Sequence, residues 1–119
     1  MELLLGELYE NCNEEDWDCY GASPIEEAII HRTIMFVKKV SDTFLGKLTT
    51  DNFCPNPHGT ITIEFSSRKK YIQAEIGLTK INIIGELGAN EEFTWENVDL
   101  STQNMVVFDK ILSLVYSDT

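Results

Sequence analysis

From Thr60 to Phe65 the chain reads Thr-Ile-Thr-Ile-Glu-Phe, with an apolar side chain at every second position. A period of two marks a strand buried on one face. The alternation returns in Tyr71–Ile76 and in Lys80–Ile84, with polar turns at 66–70 and 77–80 between the runs. This spacing predicts an antiparallel meander. Its buried face should carry Ile61, Ile63, Phe65, Ile72, Ala74, Ile76, Ile81 and Ile83. Glu92–Glu96 alternates as well, with Phe93 and Trp95 on one side, and offers an optional fourth strand. The opposite face presents Thr62, Glu64, Tyr71, Gln73, Glu75 and Asn82. That face is polar and is expected to meet water.

On either side of the strands the period becomes helical. Ile25, Ile29, Phe36, Val40 and Phe44 recur on one face, and Ser23-Pro-Ile-Glu26 reads as a capping box with proline at the first helical position. The expected helix therefore runs from Ser23 to about Leu45, with Gly46 as its stop. A second helix is predicted from about Thr102 to Tyr116, capped by Ser101 or Asp99, with Met105, Phe108, Leu112 and Val115 as its inner stripe. A short helix over 2–10 is expected from Leu4, Leu5, Leu8 and Tyr9. Two prolines, two asparagines and a glycine within residues 49–59 predict irregular chain there. There are no repeats and no linker, so 1–119 is expected to be one α+β domain. It is pictured as two layers, an antiparallel three- or four-stranded sheet with helices packed on one face.

Composition narrows the classes of partner. The 119 residues carry 20 acidic and 9 basic side chains, a net charge of −11. Residues 1–27 hold nine carboxylates and no lysine or arginine; residues 28–80 hold eight basic and four acidic groups; residues 81–119 hold seven carboxylates and Lys110 alone. Direct nucleic-acid binding needs concentrated Lys and Arg, so it is not expected. An anionic membrane is not expected on the same ground. A basic protein surface is the partner that such charge attracts. The plainer reading is that the charge keeps the protein soluble. No apolar run approaches the ~20 residues of a membrane span. The first residues lack the positive charge of a signal peptide, so a cytoplasmic location is expected.

Most of the chemistry in the sequence lies just ahead of the first long helix. Trp17-Asp-Cys-Tyr-Gly-Ala-Ser-Pro-Ile25 resembles a W-D-G-Y-G-A-x-P-I motif of small, poorly characterised bacterial and phage proteins. In those a helix follows, then a P-x-P-x-G-G-type loop, then a strand reading I-x-L-E-W. Pro55-Asn-Pro-His-Gly59 and Ile61-Thr-Ile-Glu-Phe65 stand in the matching places. The resemblance covers residues 16–76 and departs at Cys19 and His58. It implies a fold and a microbial or phage origin rather than an activity.

Two readings of this loop stand side by side. In the structural one, Trp17 and Tyr20 cover an end of the core, Gly21 turns the chain and Asp18 bonds the turn. In the functional one, Trp17 and Tyr20 amid Glu14, Glu15, Asp16 and Asp18 form a patch that binds a partner. Trp and Tyr are enriched among binding hot spots, and a carboxylate rim steers a basic partner.

Catalytic signatures are weak. Glu64 and Glu75 share a sheet face if the hairpin register holds, yet no positioning group visibly joins them. Cys19 or Cys54 with His31 or His58 has no local nucleophile signature. Cys12, Cys19 and Cys54 with the two histidines show no ligand spacing, so no metal site, disulfide or cofactor is expected. No glycine-rich phosphate loop occurs. Arg68-Lys69-Lys70 reads as a solvated hairpin tip, with anion binding as the alternative.

The expectation is a non-enzymatic acidic protein, an inhibitor from a bacterial or phage conflict system of the antitoxin, immunity or anti-CRISPR type. It would occlude the basic, nucleic-acid-binding surface of a nuclease or CRISPR effector. The alternative is a binder of a small signalling nucleotide, with Arg32, Arg68, Lys69 and Lys70 as its available cations. An edge strand makes a homodimer plausible.

Overall fold

The computed structural model describes residues 10, 24–40, 42–88 and 91–116. The helix expected over 2–10 therefore lies outside the described residues apart from Glu10, and the patch Glu14–Tyr20 lies wholly outside them. The elements run in order as helix α1 (Glu27–Lys39), short helix α2 (Asp42–Leu45), a 3-10 turn (Thr50–Asn52), strands β1 (Phe53–Pro55), β2 (Ile61–Ser67), β3 (Lys70–Ile76), β4 (Ile81–Glu86) and β5 (Glu92–Trp95), and helix α3 (Thr102–Val115). The domain is α+β. Its strands form one antiparallel sheet in chain order, β1-β2-β3-β4-β5.

Alternation in the sequence becomes alternation in burial. Ile61, Ile63, Phe65, Ile72, Ala74, Ile76, Ile81 and Ile83 are all fully buried, as the period of two requires. They join Phe36 of α1 and Phe108 and Leu112 of α3 in one cluster. The Phe108 ring stands edge-on to Phe36 at 5.2 Å and to Phe65 at 5.6 Å. Helices α1 and α3 thus meet each other and the sheet at one aromatic junction. Met105, Phe108, Leu112 and Val115 are the buried stripe of α3, and Ser101 caps it by accepting the Asn104 amide at 3.2 Å. Asp99 adds to that cap: its Oδ1 accepts from Ser101 N at 3.0 Å and from Asn104 Nδ2 at 2.9 Å.

Three expectations need correction. Among the described residues the sheet has five strands, not three or four, because β1 forms inside the stretch expected to be irregular. Pro55 is tolerated there because β1 is an edge strand and proline ends it, where no ladder donor is required. Asn56 N bonds Thr60 O at 2.8 Å, and Gly59 sits at φ 94, so the Asn56–Thr60 turn closes β1 onto β2.

The first helix also starts later than its capping box suggests. Glu26 is the N-cap, extended at φ −74 and ψ 147, and makes no side-chain cap bond. Ile25 stays outside the helix and is buried with Ile30, the N′ and N4 positions of a hydrophobic staple. Burying Ile25 ahead of the helix displaces the start that Ser23 and Pro24 suggest.

Finally, the helix does not run unbroken to Leu45. Val40 turns extended (ψ 142), its N–H closes on Val37 O at 3.0 Å, and the chain restarts as α2. Val40 and Phe44 are both buried on the two sides of this break.

Candidate functional site

The polar face of the sheet is built by register. Cys54 pairs with Thr62, Thr62 with Glu75 and Glu75 with Asn82, which makes one row across four strands. Glu64, Gln73, Ile84 and Thr94 make the next row, and Ser66, Tyr71, Glu86 and Glu92 the third. These strand positions carry four carboxylates and no lysine or arginine. Glu86 and Glu92 are direct cross-strand partners, an arrangement that repulsion disfavours. Lys70 falls on the other parity, and its Nζ bonds Leu114 O at 3.0 Å.

At the β1–β2 end of this face a histidine joins Glu75. His58 Nε2 lies 2.7 Å from Glu75 Oε2, and Thr60 Oγ1 donates to the same oxygen at 2.7 Å. Thr60 Oγ1 is also 3.0 Å from His58 Nε2. Behind Thr60, Asn56 Nδ2 reaches both Thr60 Oγ1 at 2.9 Å and Thr62 Oγ1 at 2.8 Å. The hydrogen bond from His58, then that from Thr60, hold the Glu75 carboxyl below its ordinary pKa against a smaller opposing effect of burial.

This cluster is not a nucleophile relay. In a triad the hydroxyl and the carboxylate sit on opposite ring nitrogens of the histidine. Here both converge on Nε2, and the threonine proton is spent on the carboxylate. What the arrangement does is keep a carboxylate anionic at the surface.

Three depressions of about 240 Å³ each surround the cluster. One lies between α1 and the His58 turn, one runs past Leu78 and Lys80, and one lies on the sheet face over Thr62, Gln73 and Ile84.

The residues singled out in the sequence are dispersed. Glu64 and Glu75 share the face but not a bond: Gln73 Nε2 donates to Glu64 Oε2 at 3.1 Å, whereas Glu75 bonds His58 and Thr60. Cys54 is exposed, and the hydrogen bonds of His58 go to Glu75 and Thr60 rather than to the thiol. Arg32 Nε donates to Gly77 O at 2.8 Å and so ties α1 to the β3–β4 turn. His31 sits 3.5 Å from Glu27 on an exposed turn of α1. Cys12 and Cys19 lie outside the described residues.

Among the described residues no group of three or more His, Cys, Asp and Glu is placed to hold a metal ion. None of the helices among them is long and apolar enough to cross a membrane.

Sequence reasoning missed the joining of His58 to Glu75, which stand 17 positions apart. The available signal was the proline-histidine-glycine turn leading into β2, combined with the register that sets Glu75 opposite Thr62. Comparison of the chain with family models, curated proteins and solved structures gave no match.

Proposed function

We propose that this protein is a non-enzymatic acidic interaction domain, an inhibitor from a bacterial or phage conflict system. It occludes a basic, nucleic-acid-binding surface of a partner protein, with carboxylates taking the place of backbone phosphates at Arg and Lys. The observation that supports the reading is the sheet face with Glu64, Glu75, Glu86 and Glu92 and no cation at its strand positions. A fold that needed this face only for stability gains nothing from the directly opposed Glu86 and Glu92. The reading takes the helices as one layer and the sheet as the other, which leaves the polar face to the partner. The acidic loop with Glu14, Glu15, Asp16, Trp17, Asp18 and Tyr20 is its second contact region, and the resemblance of Trp17–Ile25 supports a microbial or phage origin.

Nucleotide sequestration has less support. Arg32 is engaged at Gly77 O and Lys70 at Leu114 O, so these two cations do not converge on a phosphate. The depressions of about 240 Å³ also fall below the usual range for drug-sized ligands, roughly 300–1,000 Å³.

The experiment is a tagged pull-down from lysate at about 0.05 M and about 0.5 M salt. It compares the parent chain with folded Trp17→Ala/Tyr20→Ala and Glu86→Lys/Glu92→Lys variants. The expected result is one stoichiometric basic partner, weakened by salt and by both double substitutions. A partner held equally at high salt and by the charge-reversed chain would overturn the reading.

A further inference from the structure

The depression on the polar face has an unusual balance of donors and acceptors, and it can be worked out from one carboxylate. An ionised Glu75 only accepts, so the single Thr60 hydroxyl proton goes to its Oε2. Thr60 must then accept from Asn56, which fixes the Asn56 amide: its NH2 faces Thr60 and Thr62 and its carbonyl oxygen points elsewhere. Glu64 likewise only accepts, so Gln73 turns its NH2 to Glu64 Oε2 and leaves its own carbonyl oxygen over. The Asn56 and Gln73 carbonyl oxygens and the Oε1 atoms of Glu64 and Glu75 receive no hydrogen bond among the described residues. Of the groups that border the depression, Asn56, Gln73 and Glu75 thus have acceptors left over, and Glu64 stands beside Gln73 in the same row. Asn82 runs the other way, because its Oδ1 holds the Asn97 amide at 3.0 Å and its NH2 is left over as a donor. One wall is apolar: Ile84 stands 43% exposed in the middle of the face.

We infer that the depression bordered by Asn56, Thr62, Gln73, Glu75, Asn82 and Ile84 receives an arginine side chain of the basic partner. This rests on the interaction reading above and names the group the face recognises. A guanidinium has five N–H donors and no acceptor, so it matches the Glu75 carboxylate and the Asn56 and Gln73 carbonyl oxygens. Its methylene stem lies along Ile84. An anion meets carboxylates and carbonyl oxygens there and is repelled. An ammonium presents a compact point charge and cannot span separated acceptors as a planar fork does. Lys80 borders the neighbouring depression beyond Asn82 and does not line this one.

The test uses the full chain with two peptides of equal charge, octa-arginine and octa-lysine, titrated by calorimetry and followed by the side-chain amide NMR signals of Asn56 and Gln73. Octa-arginine is expected to bind about tenfold more tightly and to shift both amides. In Glu75→Gln the preference should fall towards unity. Gln73→Lys, which places a cation in the depression without touching the buried core, should do the same and decides the matter if the first variant fails to fold. Equal affinity for the two peptides, or a preference kept in folded Gln73→Lys, overturns the arginine site. In both of those cases salt-dependent binding of the two peptides leaves the acidic-surface reading standing. Binding of neither peptide overturns both.

Discussion

Gly85 is the position where the sheet tolerates least. It lies on the core face of β4, opposite Ile72 on one side and Phe93 on the other. A Cβ built there would stand 2.7 Å from Phe93 Cε1, 2.9 Å from Phe93 Cζ and 2.7 Å from Tyr71 O. The ring of Phe93 therefore lies folded over the glycine and pins the edge strand β5 to the sheet.

Gly85→Ala has two opposing consequences. Overpacking of a filled site costs about 1–3 kcal/mol. The alanine lowers the entropy of the unfolded chain and returns about 0.4–1 kcal/mol. The Tyr71 contact is with backbone and cannot swing aside, so the cost should fall in the upper part of its range. A net loss of about 1–2 kcal/mol is expected, or several degrees in Tm. Urea and thermal unfolding measure it, with the m-value unchanged if the native fold is kept.

The double variant Gly85→Ala/Phe93→Leu separates the two contacts. Removing the ring should relieve part of the loss and leave the Tyr71 part, so the two substitutions should be non-additive. A Gly85→Ala protein as stable as the parent, or a cost indifferent to Phe93, would refute the packing argument.

Other outcomes follow from the same structure. Glu75 has a depressed pKa in the folded state, so its stabilising effect is complete above the ordinary glutamate value and is lost as pH falls through the lower folded value. The effect is modest because the side chain is 37% exposed, and urea midpoints between about pH 3 and 6 should show a slope that His58→Ala reduces; an identical slope in that variant contradicts it. Phe108→Ala removes the ring shared by Phe36 and Phe65 and should cost about 3–5 kcal/mol, read as a large drop in the urea midpoint. Ser101→Ala removes the cap of α3 and should cost about 1 kcal/mol by the same measurement, with a near-zero change meaning that Asp99 carries the cap alone.

The strands were legible because the core is lined by β-branched residues at strict alternation, and from Thr60 to Ile84 almost nothing else competes with that pattern. The stripe of α3 was legible for the equivalent helical reason. Where two local rules met, one had to lose. At Ser23–Glu26 a capping box competes with the burial of Ile25, and the buried side chain decides the helix start. At Phe53–Pro55 the turn-forming neighbours hide a strand that exists only because β2 offers it a partner. Of the site, parity assigned Thr62, Glu64, Tyr71, Gln73, Glu75 and Asn82 to the polar face, but not Glu86, which lies past the expected end of its strand, nor its partner Glu92. It did not reveal that His58 bonds Glu75, because that contact depends on how the Asn56–Thr60 turn folds back over the sheet. The loop Glu14–Tyr20 that drew attention in the sequence lies outside the described residues, and the described candidate site was found on the sheet instead.

The strictly sequential strand order has a consequence for how the domain is reached. Each hairpin closes over a short turn, so the sheet can zip together from neighbour to neighbour at little loop-closure cost. The contact between Phe36 and Phe108 is the opposite kind, joining residues 72 positions apart. A ribosome adds Phe108 only after every strand of the sheet has been synthesised. Until then the row of isoleucines lacks α3 as its cover and is open to other chains. The slow and vulnerable moment in making this protein is therefore the docking of α3.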